Sequence, residues 1–207
     1  MSNTKPNPDE FMLDGIVYST KALRQEWETP PEIFRQLDNE VHFGLDVSAN
    51  ATNKKCPYFY GPGSRLATNA LDLDVWGNDI PANGMAGSAI GPPLNCFCNP
   101  GFSDPMPWHI RAARTARELG TTVVVLGLVG ASQEWYEYAY INASEHRKMR
   151  PRPEYIPPTE LLEYWNAHGI KQTGNNREGC SYHYGPKKDW DAPAVTRLWK
   201  WKEGVVI

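Results

Sequence analysis

Residues 96–130, CFCNPGFSDPMPWHIRAARTARELGTTVVVLGLVG, pass from a strand to a helix and back to a strand. The first strand is the short apolar run at the start. Residues 103–120 have helical character, with Pro105 suited to the first turn and Gly120 to the end. Residues 121–130 form a continuous apolar run, typical of a strand buried on both faces. This alternation predicts an α/β domain with a mostly parallel sheet flanked by helices.

The preceding segment continues the same alternation. Residues 26–40, EWETPPEIFRQLDNE, predict a short helix with Thr29 as its N-cap and Pro30 at its first position. Residues 41–50, VHFGLDVSAN, place apolar side chains at every second position, as a strand does. Asp46 falls at the end of that strand.

Two polar residues are therefore predicted at the carboxyl ends of two strands, Asp46 after one and Asn99 after the other. In α/β sheets, ligands bind in the crevice beyond the carboxyl ends of the strands. We expect both side chains to lie on the same rim of the sheet.

The domain organisation is predicted to be simple. Residues 1–20 form a mobile N-terminal arm, and residues 21–207 form a single domain. Loop insertions are expected near residues 50–95 and 150–178, because a long segment without periodicity inside a domain is usually functional. Further helices are predicted at residues 131–145 and 159–169, and further strands at residues 179–186 and 195–203.

The composition is that of a globular domain. The chain has 207 residues, of which 41% are hydrophobic and 22% charged, enough for a sizeable core. It has no apolar run of about 18 residues and no signal-peptide core at its start, so we expect no membrane span and a cytoplasmic location. Its four cysteines are expected to be reduced thiols. The CFC pair has no second Cys or His pair at zinc spacing, so no metal site is predicted.

Basic residues concentrate in the second half of the chain. Residues 105–207 carry 14 Lys and Arg and 11 Asp and Glu, whereas residues 1–104 carry 7 and 13. The densest basic patch is HRKMRPRP, residues 146–153. Such a patch is either a solvated face or a surface for nucleic-acid phosphates. On the second interpretation, the phosphate-binding residues are Arg147, Lys148, Arg150 and Arg152.

Several segments in order resemble the phage-type adenine-specific DNA methyltransferases. They are WETPPEIF, LDVSAN, NALDLDVW, CNPGFS, VVLGLVGASQEWY and a closing segment that ends in GCSYHYGP, and they span about residues 26–186. The resemblance implies a Rossmann-like S-adenosylmethionine-dependent fold. It also implies methyl transfer from S-adenosylmethionine to the 6-amino group of adenine in DNA.

The resemblance assigns the chemistry to CNPGFS, which is similar to the family's Asn-Pro-Pro-Tyr/Phe motif. The Asn99 side-chain oxygen and the Pro100 carbonyl would accept hydrogen bonds from the two N–H groups of the 6-amino group of a flipped-out adenine. Phe102 would stack on the base. Positioning for direct in-line attack then supplies the rate, without a metal or a covalent intermediate. Gly101 stands where the family has a second proline. This replacement makes the loop less rigid but leaves both hydrogen-bond acceptors, on Asn99 and Pro100, in place.

The resemblance also implies a set of cofactor contacts. Asp46 would accept hydrogen bonds from the amino-acid end or the ribose, and Thr29 would contact the cofactor, act as an N-cap, or do both. Asn69 stands where the family commonly has aspartate, so Asp72 or Asp74 are alternatives for adenosine recognition. The full predicted set is Trp27, Thr29, Pro30, Asp46, Ala49, Asn69 and Asn99.

Two other functions remain open at this point. Asn-Pro-Pro-Tyr motifs also serve the amide nitrogen of protein glutamine, a planar amino group like that of adenine. Alternatively, Gly101 marks the decay of a relative that binds DNA without catalysis. The sequence makes no prediction of oligomeric state.

Overall fold

The computed structural model describes residues 10–13, 16–19, 27–80, 94–167, 178–187 and 192–207. Its strands are β1 Glu10–Leu13, β2 Ile16–Ser19, β3 Phe43–Asp46, β4 Tyr58–Phe59, β5 Asn95–Cys98, β6 Val123–Leu128, β7 Glu145–Arg150, β8 Gly179–Tyr184, β9 Val195–Lys200 and β10 Val205–Val206. Its helices are α1 Pro31–Val41, α2 Met106–Leu119, α3 Glu134–Asn142 and α4 Thr159–Ala167, with a 3-10 helix at Ala70–Asp72.

Eight of the strands form one mixed sheet in the order β10-β9-β7-β8-β6-β5-β3-β4. Six of them run in the same direction, whereas β8 is antiparallel to β6 and β7, and β10 is antiparallel to β9. The prediction of an α/β fold with a mostly parallel sheet flanked by helices is confirmed.

The order of the strands reverses between β3 and β5. From β3 the chain moves outward to β4, then returns to the other side of β3 as β5 and continues to β6. Such a switch point opens a crevice beyond the carboxyl ends of the two central strands. Asp46 ends β3 and Asn99 follows β5, so the two residues share the predicted rim.

Both faces of the sheet are covered, because successive residues of a strand point to opposite sides. Val123 and Val125 of β6 pack with small residues of α2 and α3 on one face. Val124 and Leu126 pack on the other face with α1, where Ile33 is fully buried. The continuous apolar run of β6 was correctly predicted as a strand buried on both faces.

The boundaries of α1 differ from the prediction. Thr29 forms no capping hydrogen bond, and the N-cap is Pro30, whose ψ of 136° is extended. A residue that precedes proline is forced out of the helical region, so Pro30 cannot begin the helix before Pro31. The helix also continues through Val41, which was predicted in the strand, and it ends where His42 adopts a φ of 56°. The predicted end of α2 at Gly120, with a φ of 66°, is confirmed.

The predicted arm and insertions are described in part. A two-stranded hairpin, β1–β2, occupies part of residues 1–20, and the mobility of that arm stays a prediction. The segment 50–95 contains β4 and the 3-10 helix, and the segment 150–178 contains α4. Residues 1–9, 14–15, 20, 81–93 and 168–177 of these predicted segments lie outside the described residues.

Two buried histidines, His109 and His146, contact Tyr182 and Tyr184 beneath α3, and a third, His183, lies between the two tyrosines in β8 with its Nε2 3.0 Å from Ser181 Oγ. The ring of His146 stacks on Tyr182 at 4.6 Å between centroids, and neither of its nitrogens has a partner within the described residues. His109 Nδ1 lies 2.7 Å from the Tyr184 hydroxyl. Burial lowers the pKa of His109 to about 3 and that of His146 to about 4, and it also lowers the pKa of His183. All three rings are therefore neutral at pH 7.

We expect the change His146→Phe to stabilise the protein, and more strongly at pH 5 than at pH 7.5. Phenylalanine keeps the stack on Tyr182 and removes two buried unpaired nitrogens, a gain of about 1 kcal/mol at neutral pH. Histidine in the unfolded chain has a pKa of about 6.5, so below that pH the unfolded wild type binds a proton that the folded protein excludes. Wild-type stability therefore falls between about pH 6.5 and 4, and the variant loses less.

Urea unfolding at both pH values measures this difference. The exposed His42 provides a control, because His42→Asn keeps the positive φ accessible and removes no buried histidine. His42→Asn should lack the gain in stability that we expect of His146→Phe. A His146→Phe variant with the wild-type pH dependence would contradict the burial argument.

Candidate active site

The first cavity opens beyond the carboxyl ends of β3 and β5 and has a volume of about 330 Å³. Its walls come mainly from five segments of chain that the sheet brings together, and Asn53, Lys55, Phe97 and Trp108 complete them; the segments are residues 27–29, 46–50, 60–62, 68–70 and 99–101. Gly61 is required for this shape, because it has a φ of 138° and a Cβ there would lie 1.7 Å from the Ala49 carbonyl oxygen. The cavity thus occupies the crevice that the strand order predicts.

Asn99 is held in one orientation at the edge of this cavity. Its backbone N–H donates to Ser48 Oγ at 2.7 Å, and its Nδ2 donates to the Trp27 carbonyl at 2.9 Å. The amide oxygen therefore points away from Trp27. That Oδ1 atom is buried and has no partner among the described residues. An unpaired buried acceptor costs about 1–3 kcal/mol, a cost that a ligand with an N–H donor would remove.

Asp46 lies deeper in the same cavity and is almost fully buried. Its Oδ2 accepts from the Lys55 backbone N–H at 3.0 Å and its Oδ1 from the Ser48 N–H at 3.3 Å. Burial raises the pKa of Asp46 to about 6, although these two hydrogen bonds act in the opposite direction. The carboxylate is thus ionised above that pH and has acceptor capacity left for a ligand.

A second cavity, of about 810 Å³, adjoins the first at Pro100, which lines both. Phe102 lines the second cavity and packs edge-to-face against Tyr155 at 6.0 Å between centroids. Trp135 and Gln133, at the start of α3, supply an aromatic ring and an amide to the same cavity. The motif CNPGFS therefore separates two spaces, with Asn99 facing one and Phe102 the other.

Comparison with known proteins agrees with this geometry. A family model described as DNA N-6-adenine-methyltransferase (Dam) matches residues 18–160, more than half of the chain. The chain belongs to the DNA N-6-adenine-methyltransferase (Dam) family. A DNA N-6-adenine-methyltransferase of Haemophilus phage HP1 is 28% identical over 127 residues, which are 60% of this chain. The chain spans 62% of the length of that relative.

The family's predicted cofactor residues fall into two groups. Trp27, Thr29, Asp46, Ala49, Asn69 and Asn99 all line the first cavity. Within the described residues, neither the buried Thr29 hydroxyl nor the Asn99 amide oxygen has a hydrogen-bond partner. Pro30 instead caps α1 and borders a separate groove beside Trp201, so we remove it from the set.

Asn69 and its two alternatives are engaged in local structure. The Asn69 Oδ1 accepts from the Leu71 N–H at 3.1 Å and caps the 3-10 helix, while its Nδ2 donates to Asp72 at 2.9 Å. Asp74 pairs with Arg114 at 2.9 Å. Asn69 thus shapes the cavity wall more than it offers free polar atoms.

Arg147 is not available for a Dam-family DNA contact. It lies in β7 in the interior of the sheet and is 5% exposed. Its guanidinium forms a fork with Glu40, with Nη1–Oε2 at 2.6 Å, and donates to Glu145 at 2.9 Å. Burial lowers the pKa of the Arg147 guanidinium, but the ion pairs with Glu40 and Glu145 outweigh this effect and raise it above its ordinary value. The side chain is thus fully engaged within the protein. We correct the sequence-based assignment: Arg147 has a structural role.

The other basic residues of this segment remain candidates for phosphate contact. Lys148, Arg150 and Arg152 are exposed. Arg150 pairs with Glu178 at 2.6 Å, and Glu178 lines the second cavity. From Arg147 onward, β7 alternates between buried and exposed side chains, so Lys148 and Arg150 reach solvent whereas Arg147 does not.

The sequence did not reveal several residues of the site. Ser48 positions Asn99, and Glu28 and Lys55 form an ion pair at 3.2 Å on the first cavity. Arg111 donates to the Leu73 carbonyl at 2.7 Å and so fixes the segment that follows Asn69. None of these contacts has a sequence signal, because each joins residues that are distant along the chain.

Within the described residues, no group of three or more His, Cys, Asp or Glu side chains is placed to hold a metal ion. In the same part of the chain, no helix has the length and apolar character needed to span a membrane.

Proposed function

We propose that this chain transfers a methyl group from S-adenosylmethionine to the 6-amino group of adenine in DNA, on a Rossmann-like methyltransferase fold. One observation carries the proposal: Pro100 lines two cavities, and the neighbouring Asn99 holds a buried acceptor that has no partner in the described part of the chain. Two spaces that meet at an acceptor suit a reaction in which a donor and a planar amino group approach from opposite sides.

The first cavity suits the methyl donor. Its buried Asp46 carboxylate and unpartnered Thr29 hydroxyl are acceptors for the hydroxyl and ammonium groups of such a ligand. Trp27 and Trp108 add aromatic surface to the walls. When bound, S-adenosylmethionine supplies an electrophilic methyl group on a sulfonium centre.

The second cavity suits a base that has left the DNA duplex. Phe102 and Trp135 offer ring faces or edges for contact with the base, which offsets part of the cost of unstacking. The amino group of such a base would reach past Pro100 to the edge of the first cavity, where Asn99 Oδ1 and the Pro100 carbonyl would accept hydrogen bonds from its two N–H groups. These hydrogen bonds hold the nitrogen with its lone pair directed toward the first cavity, and the rate comes from this orientation.

The exposed basic residues beside the second cavity would contact the DNA backbone. Arg150 pairs with Glu178, which lines the second cavity, and Lys148 and Arg152 are exposed two positions away from Arg150 along the chain. Such contacts are independent of sequence and weaken with salt.

Incubation with radiolabelled S-adenosylmethionine and DNA tests the proposal. We expect label on adenine, identified by digestion to nucleosides. Label on cytosine would refute the proposal, and label only on protein glutamine would favour an amide-nitrogen methyltransferase. Binding of donor and DNA without transfer would indicate a catalytically decayed relative.

Gly101 distinguishes an active motif from a decayed one. Gly101 is not among the described glycines with positive φ, so its backbone does not require glycine on that ground. We expect Gly101→Pro to keep or raise the methylation rate, because proline restricts the loop that carries Asn99 and Phe102. Initial rates on one DNA substrate measure the effect. A loss of about tenfold, or about 1.4 kcal/mol, would show that the loop needs the freedom of glycine.

A further inference from the structure

One corner of the first cavity carries an ion pair between Lys55 and Glu28. Lys55 Nζ lies 3.2 Å from Glu28 Oε2, and both side chains line the cavity. The backbone N–H of Lys55 also donates to Asp46 Oδ2 at 3.0 Å. The side chains of Lys55 and Glu28 are 22% and 38% exposed, so both remain within reach of a ligand.

We propose that Lys55 and Glu28 bind the zwitterionic amino-acid end of the methyl donor, with Lys55 on the carboxylate and Glu28 on the ammonium group. The inference rests on the proposed function, because it sets the orientation of the donor within the first cavity. It assigns a binding role to two side chains that were not in the predicted set of cofactor residues, although Glu28 belongs to the segment WETPP, which carries part of the family resemblance.

The charges of the ion pair match those of the ligand. A lysine ammonium group has three N–H donors, and Glu28 takes one, so two are left for a carboxylate. The Glu28 carboxylate keeps its Oε1 for an ammonium group. A zwitterion beside this pair places each of the four charges next to an opposite one, and partial burial strengthens these interactions relative to water.

Both residues are held in place before a ligand arrives. The Glu28 N–H donates to the Ile156 carbonyl at 2.8 Å, and the Ile156 N–H donates back at 3.0 Å. Lys55 is fixed through its backbone bond to Asp46. Groups that are ordered in advance lose less entropy on binding, so this arrangement favours affinity. A half-exposed ion pair contributes little to folding stability, which leaves ligand binding as the better reason for its position.

The position also agrees with the place of methyl transfer. Trp27, the neighbour of Glu28, orients the Asn99 amide through its carbonyl, and Ser48 contacts both Asp46 and Asn99. In the donor, only two methylene groups separate the α-carbon from the sulfur. An amino-acid end at Glu28 and Lys55 therefore leaves the sulfonium centre close to Asn99.

The test compares two ligands that differ only in the carboxylate: S-adenosylmethionine and its decarboxylated form. We expect wild-type protein to bind the first at least about tenfold more tightly, as measured by calorimetry. In Lys55→Met this preference should disappear, because both ligands should then bind as the decarboxylated form binds wild type. Lys54→Met is the matched control and should keep the preference, since Lys54 is exposed and its Nζ lies 5.0 Å from the Phe59 ring centre.

Each outcome decides between the inference and its alternatives. Equal binding of the two ligands by wild type would overturn the inference, whether or not Lys55→Met folds. A Lys55→Met variant that keeps the preference would overturn it as well. If wild type binds neither ligand, the proposed function itself fails, which is a different result from loss of the preference alone.

Discussion

Asn99→Ala is expected to lower methyl transfer to DNA by about two to three orders of magnitude while cofactor binding survives. The variant removes the Oδ1 acceptor, and the loss of one hydrogen bond made in the transition state costs about 3 kcal/mol. It also removes the contact from Nδ2 to the Trp27 carbonyl. The rate constant of a single turnover and the dissociation constant of S-adenosylmethionine separate chemistry from binding.

Asn99→Asp is the matched variant for that experiment. Aspartate keeps an acceptor for the amino group but places an oxygen opposite the Trp27 carbonyl, which accepts and cannot donate. We expect a rate between those of wild type and Asn99→Ala. Full activity in Asn99→Ala would show that Asn99 is only a turn residue and would refute the proposed mechanism.

Asp46 should control the pH dependence of cofactor binding. Burial raises the pKa of this carboxyl group to about 6, so in the free protein it gains a proton as the pH falls through that value. A protonated carboxyl has less capacity to accept hydrogen bonds from the donor. We expect the affinity for S-adenosylmethionine to fall by about tenfold for each pH unit below 6, because binding must then displace the proton.

Asp46→Asn tests the assignment, since it removes the titrating group with little change in shape. We expect about tenfold weaker binding at pH 8, together with loss of the decline below pH 6. Calorimetric titrations at pH 5 and 8 measure both effects. If the variant keeps the pH dependence of the wild type, another group is responsible for it.

Local patterns predicted the central part of the fold. Every residue of β6 is buried, on both faces of the sheet, and its continuous apolar and β-branched composition was enough to predict this burial. Gly120 ends α2 because only a residue that tolerates positive φ fits there. The rim that joins Asp46 and Asn99 followed from the rule that parallel strands end on the same edge.

Local patterns failed where distant residues decided the outcome. The basic run of residues 146–153 looks like a charged surface, yet β7 lies inside the sheet. Arg147 therefore faces Glu40, which is 107 positions away along the chain, instead of DNA. Thr29 resembles an N-cap, but Pro31 forces Pro30 into an extended conformation and leaves the Thr29 hydroxyl unpaired at the cavity.

The sequence by itself determined the α/β class, the positions of Asp46 and Asn99 at strand ends, and the resemblance of CNPGFS to a methyltransferase motif. Only the tertiary structure decided that Pro100 separates two cavities, that Asn99 presents an unpaired oxygen, and that Lys55 meets Glu28. The physical reason is the distance along the chain over which each interaction acts. Backbone geometry and hydrophobic periodicity act over a few residues, whereas a cavity or an ion pair depends on segments that meet only after the sheet has formed.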